Sequence, residues 1–259
     1  MNSLRRKLQA EKDYLSLLRE YEKYRRNANR GDEPFSRLLR EGFAVIPNFF
    51  GDRQVEGFLA AIPPIEECQL SSEGTFTRFF SDAKGISGLR PFFESSLISE
   101  TMERALGPAA VMQRSTVQYR TTIGHTGAFE HFYHIDSWRP RYKAFLYLTD
   151  VDETNGPFTY TPRTHYGWWR RRYDRDIMRV FQPGPDGYIH DEESAYVGCV
   201  WPHEHKALCA KLGVEPRIVT GGSGTLILFD ARGLHKIQPL VRAPRIILSS
   251  YWIRRGQHT

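Results

Sequence analysis

The stretch HFYHIDSWRP, residues 131–140, is a short aromatic run with the residue types of a β-strand, and it carries two histidines and an aspartate. It belongs to a series of short strand-like segments, separated by turn residues, that begins near Val111. Strands of this length with polar turns leave no room for crossover helices, so the series predicts an antiparallel sandwich or barrel. Its other members are VMQRSTVQYRT (111–121), YKAFLYLTDV (142–151), PFTYTP (157–162), PRIVTG (216–221), GTLILFDAR (224–232) and PRIILSSYWIR (244–254).

The chain before Val111 has a largely helical sequence pattern. Leucines and tyrosines at helical spacing predict an amphipathic helix over residues 3–28, and NANRGDEP ends it. That helix could pack on the rest of the chain, which we favour, pair with a second subunit to make a homodimer, or lie on a membrane surface. Further predicted elements are helices near 34–41, 52–62 and 95–106 and a strand in GFAVIPNFF, 42–50.

These elements divide the chain into two parts. Residues 1–31 form an N-terminal charged amphipathic helix, and residues 32–259 form one β-rich domain. Within the domain, a polar, aromatic and basic insertion at about 166–215 is too long for a hairpin loop. We expect it to be a lid or a small helical insertion over one end of the barrel.

Composition and motifs exclude several classes of function but do not identify one. The formal net charge is +6, and the basic residues gather near the N-terminus and in residues 163–179. Such patches suit anionic partners of any kind, but no nucleic-acid motif accompanies them, so we expect no nucleic-acid partner. The chain also lacks GxSxG, P-loop, GxGxxG and HExxH motifs, so hydrolase, nucleotidase and dehydrogenase functions lack their minimal residues.

The sequence favours a cytoplasmic protein. No apolar run approaches the roughly 20 residues that cross a bilayer, and the first residues lack the apolar core of a signal peptide. The three cysteines are Cys68, Cys199 and Cys209, and their scattered positions argue against a disulfide framework or a thiolate metal site.

The polar residues of the strand series suggest a metal site. On a strand, positions i and i+2 share a face, so His134 and Asp136 project side by side. In an antiparallel roll, His235, which follows the apolar strand ending at Phe229, can return beside them. Two histidines and a carboxylate on one face of an ion form the triad of non-haem Fe(II) oxygenases. Arg245 opens the next strand, and a buried arginine there calls for an anion such as a carboxylate.

From REGFAVIPNFF (40–50) to RIILSSYWIRR (245–255), the chain resembles the phytanoyl-CoA dioxygenase-like family of Fe(II)- and 2-oxoglutarate-dependent oxygenases. The resemblance is carried by HID (134–136), LTDVDETNGPFTYTPRTH (148–165) and HKIQPLVRAPR (235–245). TPRTH departs from the PGSH ending that is usual in the family, which affects loop geometry and substrate rather than the iron site.

The resemblance implies a double-stranded β-helix, also called a jelly roll, with helices outside one sheet. It implies that His134, Asp136 and His235 ligate Fe(II) and that Arg245 binds the distal carboxylate of 2-oxoglutarate. The implied reaction uses dioxygen, converts 2-oxoglutarate to succinate and carbon dioxide, and hydroxylates an unactivated C–H bond. Related halogenases have a small residue at the carboxylate position, so Asp136 favours hydroxylation over halogenation.

Other residues are weaker candidates for the site. Gln118 and Tyr147 could contact the co-substrate, although ordinary core or rim positions fit them as well. For a small, anionic substrate we name residues of TPRTH and of the insertion that follows it, namely Arg163, Trp168, Arg170 and Arg171. The alternative for these four is a solvated helix face with the tryptophans buried beneath it.

Three further histidines are assigned no metal. His203 and His205 in WPHEHKA could form a second metal site, but we expect exposed loop histidines there. His131 is three residues from His134, which puts it on the opposite strand face and favours a structural role.

The main alternative function is a non-enzymatic jelly-roll binding or scaffold protein with a vestigial metal site. Retention of three ligands and Arg245 argues against it, because polar groups facing an apolar interior are costly without a task. Substrate classes open at this point include acyl-CoA thioesters, amino acids, saccharides and natural-product intermediates.

Overall fold

The computed structural model describes residues 12, 15, 16, 19, 34–70, 77–124, 131–167, 169–174 and 198–256. The N-terminal helix predicted over 3–28 therefore lies largely outside the described residues, and the four described positions within it are helical. No helix among the described residues is long and apolar enough to cross a membrane.

In the part of the chain that the structure describes, twelve strands of 2 to 11 residues form two antiparallel sheets. The larger sheet has the order β1-β10-β6-β12-β4-β3-β2 and the smaller has the order β8-β5-β11-β7-β9. Strands of the larger sheet are β1 (Phe43–Ile46), β2 (Gln69–Leu70), β3 (Thr77–Ser81), β4 (Ala110–Arg120), β6 (Tyr142–Tyr147), β10 (Leu226–Asp230) and β12 (Arg245–Arg254). Those of the smaller sheet are β5 (Tyr133–His134), β7 (Phe158–Tyr160), β8 (Cys199–Val200), β9 (Arg217–Val219) and β11 (His235–Ile237). This arrangement confirms the predicted jelly roll.

Helices cover the outer face of the larger sheet. They are α1 (Phe35–Glu41), α2 (Asp52–Ala61), α3 (Arg90–Phe93) and α4 (Ser96–Leu106), while α5 (Pro202–Leu212) belongs to the predicted insertion. The main core lies between these first four helices and the sheet, where Phe58, Phe92 and Met102 pack with Leu228 and Leu248. Each fully buried side chain of this size contributes about 1.5–3 kcal/mol.

The alternation of side chains along the strands creates a second, inner core between the sheets. On β12, Leu248 faces the helices, whereas Ile247 faces inward. The inner core contains Phe145, Phe158 and Phe229, all of them buried. The metal-ligand candidates border this apolar interior.

Part of the predicted insertion at 166–215 belongs to the smaller sheet. β8 pairs with β5 and extends the smaller sheet, and α5 follows it directly. Trp169 is buried in a third apolar cluster with Ile135, Val200 and Leu234. The described parts of the insertion therefore pack on the smaller sheet, while residues 168 and 175–197 lie outside the described residues.

The expectation of exposed loop histidines was correct for the exposure of His203 but wrong for the exposure of His205 and for the loop. Both lie on α5 rather than in an irregular loop. His205 is buried, its ring stacks on Tyr133 with centroids 3.6 Å apart, and its Nε2 lies 2.8 Å from the Thr161 hydroxyl oxygen. His205 therefore helps to attach α5 to the sheet.

A glycine at the entry to β10 is a point where the fold admits no side chain. Gly224 has a φ of +82°, and a Cβ there would overlap the Phe50 carbonyl oxygen. We expect Gly224→Ala to lower the free energy of unfolding by about 2 kcal/mol or more, since a positive φ alone costs about 1–3 kcal/mol. Gly85→Ala is the control, because nothing lies within 4 Å of its Cβ position. Equal urea midpoints for the two variants would contradict the assignment.

Candidate metal centre

Two histidines face each other across neighbouring strands of the smaller sheet. His134 ends β5, His235 begins β11, and the two are direct partners in the antiparallel register. Only 5% of His134 and 4% of His235 is exposed, and their ring centroids are 4.4 Å apart. The prediction that His235 returns beside His134 is therefore confirmed.

The aspartate reaches the same point from just beyond β5. Its backbone N–H donates to the Ala231 carbonyl at 3.0 Å, which turns the chain out of the ladder. Asp136 Oδ1 lies 3.5 Å from Nε2 of His134 and 3.5 Å from Nε2 of His235. One ligand atom from each residue falls within 4.8 Å of the others, and among the described residues this is the group of three that could hold a metal.

Backbone carbonyls set the tautomer of both histidines. Nδ1 of His134 lies 2.8 Å from the Phe132 carbonyl oxygen, and Nδ1 of His235 lies 2.9 Å from that of Gly233. A carbonyl oxygen only accepts, so each Nδ1 carries a proton, and in a neutral imidazole this leaves the lone pair on the Nε2 that faces the centre. Such partners orient metal-binding histidines.

Close packing around Tyr160 fixes the position of the Gly233 carbonyl. The hydroxyl of Tyr160 donates to the Asp230 carbonyl at 2.9 Å and passes between Gly42 and Gly233. A Cβ on either glycine would overlap that hydroxyl. The position of the Gly233 carbonyl, and with it the orientation of His235, thus depends on the absence of side chains at these two positions.

The electrostatics favour the protonation states that a metal requires. Burial acts to raise the pKa of Asp136, but Lys143, His235 and His134 outweigh it, so the pKa lies well below its ordinary value. The Lys143 ammonium on β6 contacts Oδ2 of Asp136 directly. Burial, and then the neighbouring His134, lower the pKa of His235. The centre therefore presents a carboxylate and neutral imidazole.

The donor set fits a divalent transition metal with open coordination positions. Two imidazole nitrogens and one carboxylate oxygen are the ligands of the facial arrangement used by non-haem Fe(II) sites. His134, Asp136 and His235 would hold the ion.

Arg245 lies at the start of β12 in the larger sheet. It is 3% exposed, and its guanidinium donates to the Gly156 carbonyl. Its cross-strand neighbour on β4 is Arg120, also buried, whose Nη2 lies 2.7 Å from His131 Nε2. Sequence reasoning missed Arg120, and it placed His131 away from the interior because the strand was taken to begin too early.

The two predicted co-substrate contacts have partners within the protein. Gln118 donates from Nε2 to the Ser249 hydroxyl at 2.8 Å on the inner face of the larger sheet. Tyr147 is fully buried and donates its hydroxyl to the Val219 carbonyl at 2.8 Å. Burial raises the pKa of Tyr147 to about 12, so it stays a neutral phenol. Contact of either residue with a co-substrate stays a prediction.

The substrate candidates of the insertion do not form one group. Arg163 is exposed and donates to the Gly213 carbonyl at 3.0 Å, while Arg171 is exposed on the helical segment 170–174. Arg170 is buried and paired with Asp174, with Nη2 and Oδ1 2.7 Å apart. Trp168 lies outside the described residues. Arg170 therefore does not lie on the solvated helix face of the alternative, and its charge is already paired within the protein.

The fold and the His134–Asp136–His235 group define the chain as a double-stranded β-helix protein with a candidate facial metal centre. No family model and no curated protein sequence matches the chain. The resemblance to the phytanoyl-CoA dioxygenase-like family thus stays a prediction.

Solved structures match the fold at low identity. The chain is similar to SnoN, a non-haem alpha-ketoglutarate-dependent epimerase from nogalamycin biosynthesis, with a TM-score of 0.55, 18% identity and coverage of 85% of this chain and 81% of SnoN. It is similar to HygX from Streptomyces hygroscopicus with nickel, 2-oxoglutarate and hygromycin B bound, with a TM-score of 0.55, 15% identity and coverage of 87% of this chain and 88% of HygX. It is also similar to EctD from S. alaskensis with 2-oxoglutarate and 5-hydroxyectoine, with a TM-score of 0.57, 14% identity and coverage of 86% of this chain and 76% of EctD. A metal ion and 2-oxoglutarate, the predicted cofactors, are thus found in structural neighbours.

The Arg170–Asp174 pair can be tested through stability. Removing one partner of a buried ion pair leaves the other charge uncompensated, which costs about 3–5 kcal/mol. We expect Arg170→Ala to lower the free energy of unfolding by that amount, and the exposed Arg171→Ala to change it by less than about 0.5 kcal/mol. Chemical denaturation measures both. An Arg170→Ala protein of unchanged stability would return this residue to the list of substrate contacts.

Proposed function

We propose that the protein is an Fe(II)- and 2-oxoglutarate-dependent dioxygenase that hydroxylates an unactivated C–H bond of a small, anionic metabolite, such as a saccharide or a natural-product intermediate. The observation that carries the proposal is the convergence of His134, Asp136 and His235, with each Nε2 directed at one carboxylate oxygen. Structural neighbours with the same fold hold 2-oxoglutarate.

Each residue of the centre has a defined task in this proposal. Bound Fe(II), with 2-oxoglutarate and dioxygen, would supply the oxidant for the C–H bond. The two histidines offer neutral nitrogens whose direction is held by backbone carbonyls, and Asp136 adds one negative charge. Arg245 would bind the distal carboxylate of 2-oxoglutarate, because a guanidinium matches a carboxylate with two parallel hydrogen bonds.

The inner face around the centre limits access of water. Phe145, Phe158 and Phe229 are buried beside the histidines, and the ring centroids of Phe229 and His235 are 5.3 Å apart. An apolar, dry surrounding strengthens electrostatic interactions with a bound anion and protects reactive species from side reactions. For the substrate, the anionic class rests on the exposed Arg163 and Arg171, since the charge of Arg170 is already paired.

The first test is turnover of the co-substrate. With Fe(II) and dioxygen, we expect the protein to convert 2-oxoglutarate to succinate slowly without a prime substrate. His134→Ala and His235→Ala each remove one ligand and should abolish both iron binding and succinate formation, measured by metal analysis and mass spectrometry. His203→Ala, an exposed histidine on α5, is the control and should change neither.

The same assay separates the enzyme from a non-catalytic scaffold. A scaffold with a vestigial site would form no succinate at any iron concentration. Loss of iron in His203→Ala alone would show that the metal site lies elsewhere.

The second test concerns Arg245. Arg245→Ala should leave metal affinity unchanged and raise the 2-oxoglutarate concentration needed for half-maximal turnover by about 30-fold or more, since losing a buried charge-assisted pair costs about 2–5 kcal/mol. Arg245→Lys should recover part of the loss, because a single ammonium does not reproduce the planar fork. Arg242→Ala, an exposed arginine of the same loop, is the matched control. Normal turnover of Arg245→Ala at low 2-oxoglutarate would remove Arg245 from the site.

A further inference from the structure

A buried lysine touches the candidate metal centre. Lys143 is 8% exposed, lies on the inner face of β6 and contacts Asp136 Oδ2 with its ammonium group. Burying an ammonium is costly unless an anion and hydrogen bonds compensate it. Among the described residues, the carboxylate that Lys143 contacts is that of Asp136.

The sheet itself places the ammonium group. In the larger sheet, Lys143 stands directly opposite Phe229 on β10 and directly opposite Tyr251 on β12. The Nζ atom lies 4.5 Å from the ring centroid of Tyr251 and 5.8 Å from that of Phe229. Aromatic faces attract a cation but offer no competing carboxylate, so they guide the ammonium toward Asp136.

The two carboxylate oxygens of Asp136 therefore have different neighbours. Oδ1 is 3.5 Å from both imidazole Nε2 atoms, and Oδ2 is engaged by Lys143. A carboxylate can bind a metal through one oxygen or through both, and an oxygen held by an ammonium is removed from the metal. We propose that Lys143 is a positioning residue that makes Asp136 a one-oxygen ligand.

This inference rests on the proposed function and adds a requirement to it. An Fe(II) site that binds 2-oxoglutarate through two oxygens and also dioxygen needs three open positions beside its three protein ligands. A two-oxygen Asp136 would occupy one of those positions. Lys143 would keep that position open, and it would do so without touching the substrate.

Removing Lys143 would have two effects on a bound metal, and both tighten binding. It takes a positive charge away from a divalent ion, and it frees Oδ2 of Asp136 to become an additional ligand atom. Metal affinity alone therefore does not separate orientation from charge, whereas the number of ligand atoms does. The orienting role rests on geometry, because Oδ2 contacts Lys143 while Oδ1 remains equidistant from the two histidines.

The test uses Co(II) as the probe and the full-length metal-free protein. Lys143→Met keeps the length and removes the ammonium group, and we expect it to raise Co(II) affinity, measured by calorimetry, because it frees a second ligand oxygen and removes a positive charge. Lys143→Gln removes the charge but keeps an N–H donor beside Oδ2. Co(II) absorption in the visible range should change for Lys143→Met and not for Lys143→Gln, because it reports the number of ligand atoms.

The matched control is Lys236→Met. Lys236 is the next residue after His235, but it faces the other side of β11 and lies 4.8 Å from the ring centroid of Tyr133. Its removal should leave Co(II) affinity and absorption unchanged. If Lys143→Met does not fold, Lys143→Gln decides the matter, since changed Co(II) absorption in that variant contradicts positioning by a neutral N–H donor beside Oδ2.

The outcomes separate the two proposals. Absence of Co(II) binding by the wild-type protein would overturn the proposed function together with this inference. Binding by the wild-type protein with unchanged Co(II) absorption in Lys143→Met would overturn the role of Lys143 alone. Equal changes of absorption in Lys143→Met and Lys143→Gln would also overturn it, because the effect would then follow charge rather than orientation.

Discussion

The pairing of His134 with His235 across β5 and β11 is the constraint on which the site depends. The two residues are far apart in the chain, and antiparallel register brings them together with both side chains on the inner face. A shift of one residue in either strand would turn one histidine outward. The register of β5 and β11 at this pair therefore cannot change without loss of the site. Asp136 can join them because its N–H leaves the ladder and bonds to Ala231.

Three carboxylates among the described residues are each paired with a neighbouring cation inside the protein. Asp136 is held by Lys143, and Asp230 is paired with Arg232, with Oδ2 and Nη2 2.6 Å apart. Arg170 and Asp174 form the third such pair, outside the smaller sheet. Replacing one member of such a pair leaves a buried charge, whereas a neighbouring exposed arginine is tolerated. The basic segment around residue 170 thus contains one structural arginine among surface ones, a distinction that composition does not reveal.

The sequence predicts the fold class and the helices near 34–41, 52–62 and 95–106, because these depend on local spacing. The convergence of the three metal-ligand candidates was predicted from the return of strands in an antiparallel roll and from the family resemblance, because His235 is distant in the chain from His134 and Asp136. It does not predict the contact of Lys143 with Asp136, which requires the register of β6 with two strands distant in the chain. β8 was missed because two residues carry no detectable alternation. The Arg170–Asp174 spacing of four residues was a readable signal for a helical ion pair, but the sequence does not show that the pair is buried.

The packing of Tyr160 has a consequence for sequence variation among relatives of this protein. Its hydroxyl occupies the space where side chains at positions 42 and 233 would lie, and the Gly233 carbonyl accepts the hydrogen bond that sets the tautomer of His235. A side chain at position 42 or 233 therefore requires a change at position 160, and a Cβ at position 42 would also lie 2.6 Å from Nδ1 of His165. Larger residues at 42 or 233 should appear in homologues only together with a residue smaller than tyrosine at 160. Covariation of these three positions would indicate that the volume available in the core limits how the imidazole of His235 is oriented.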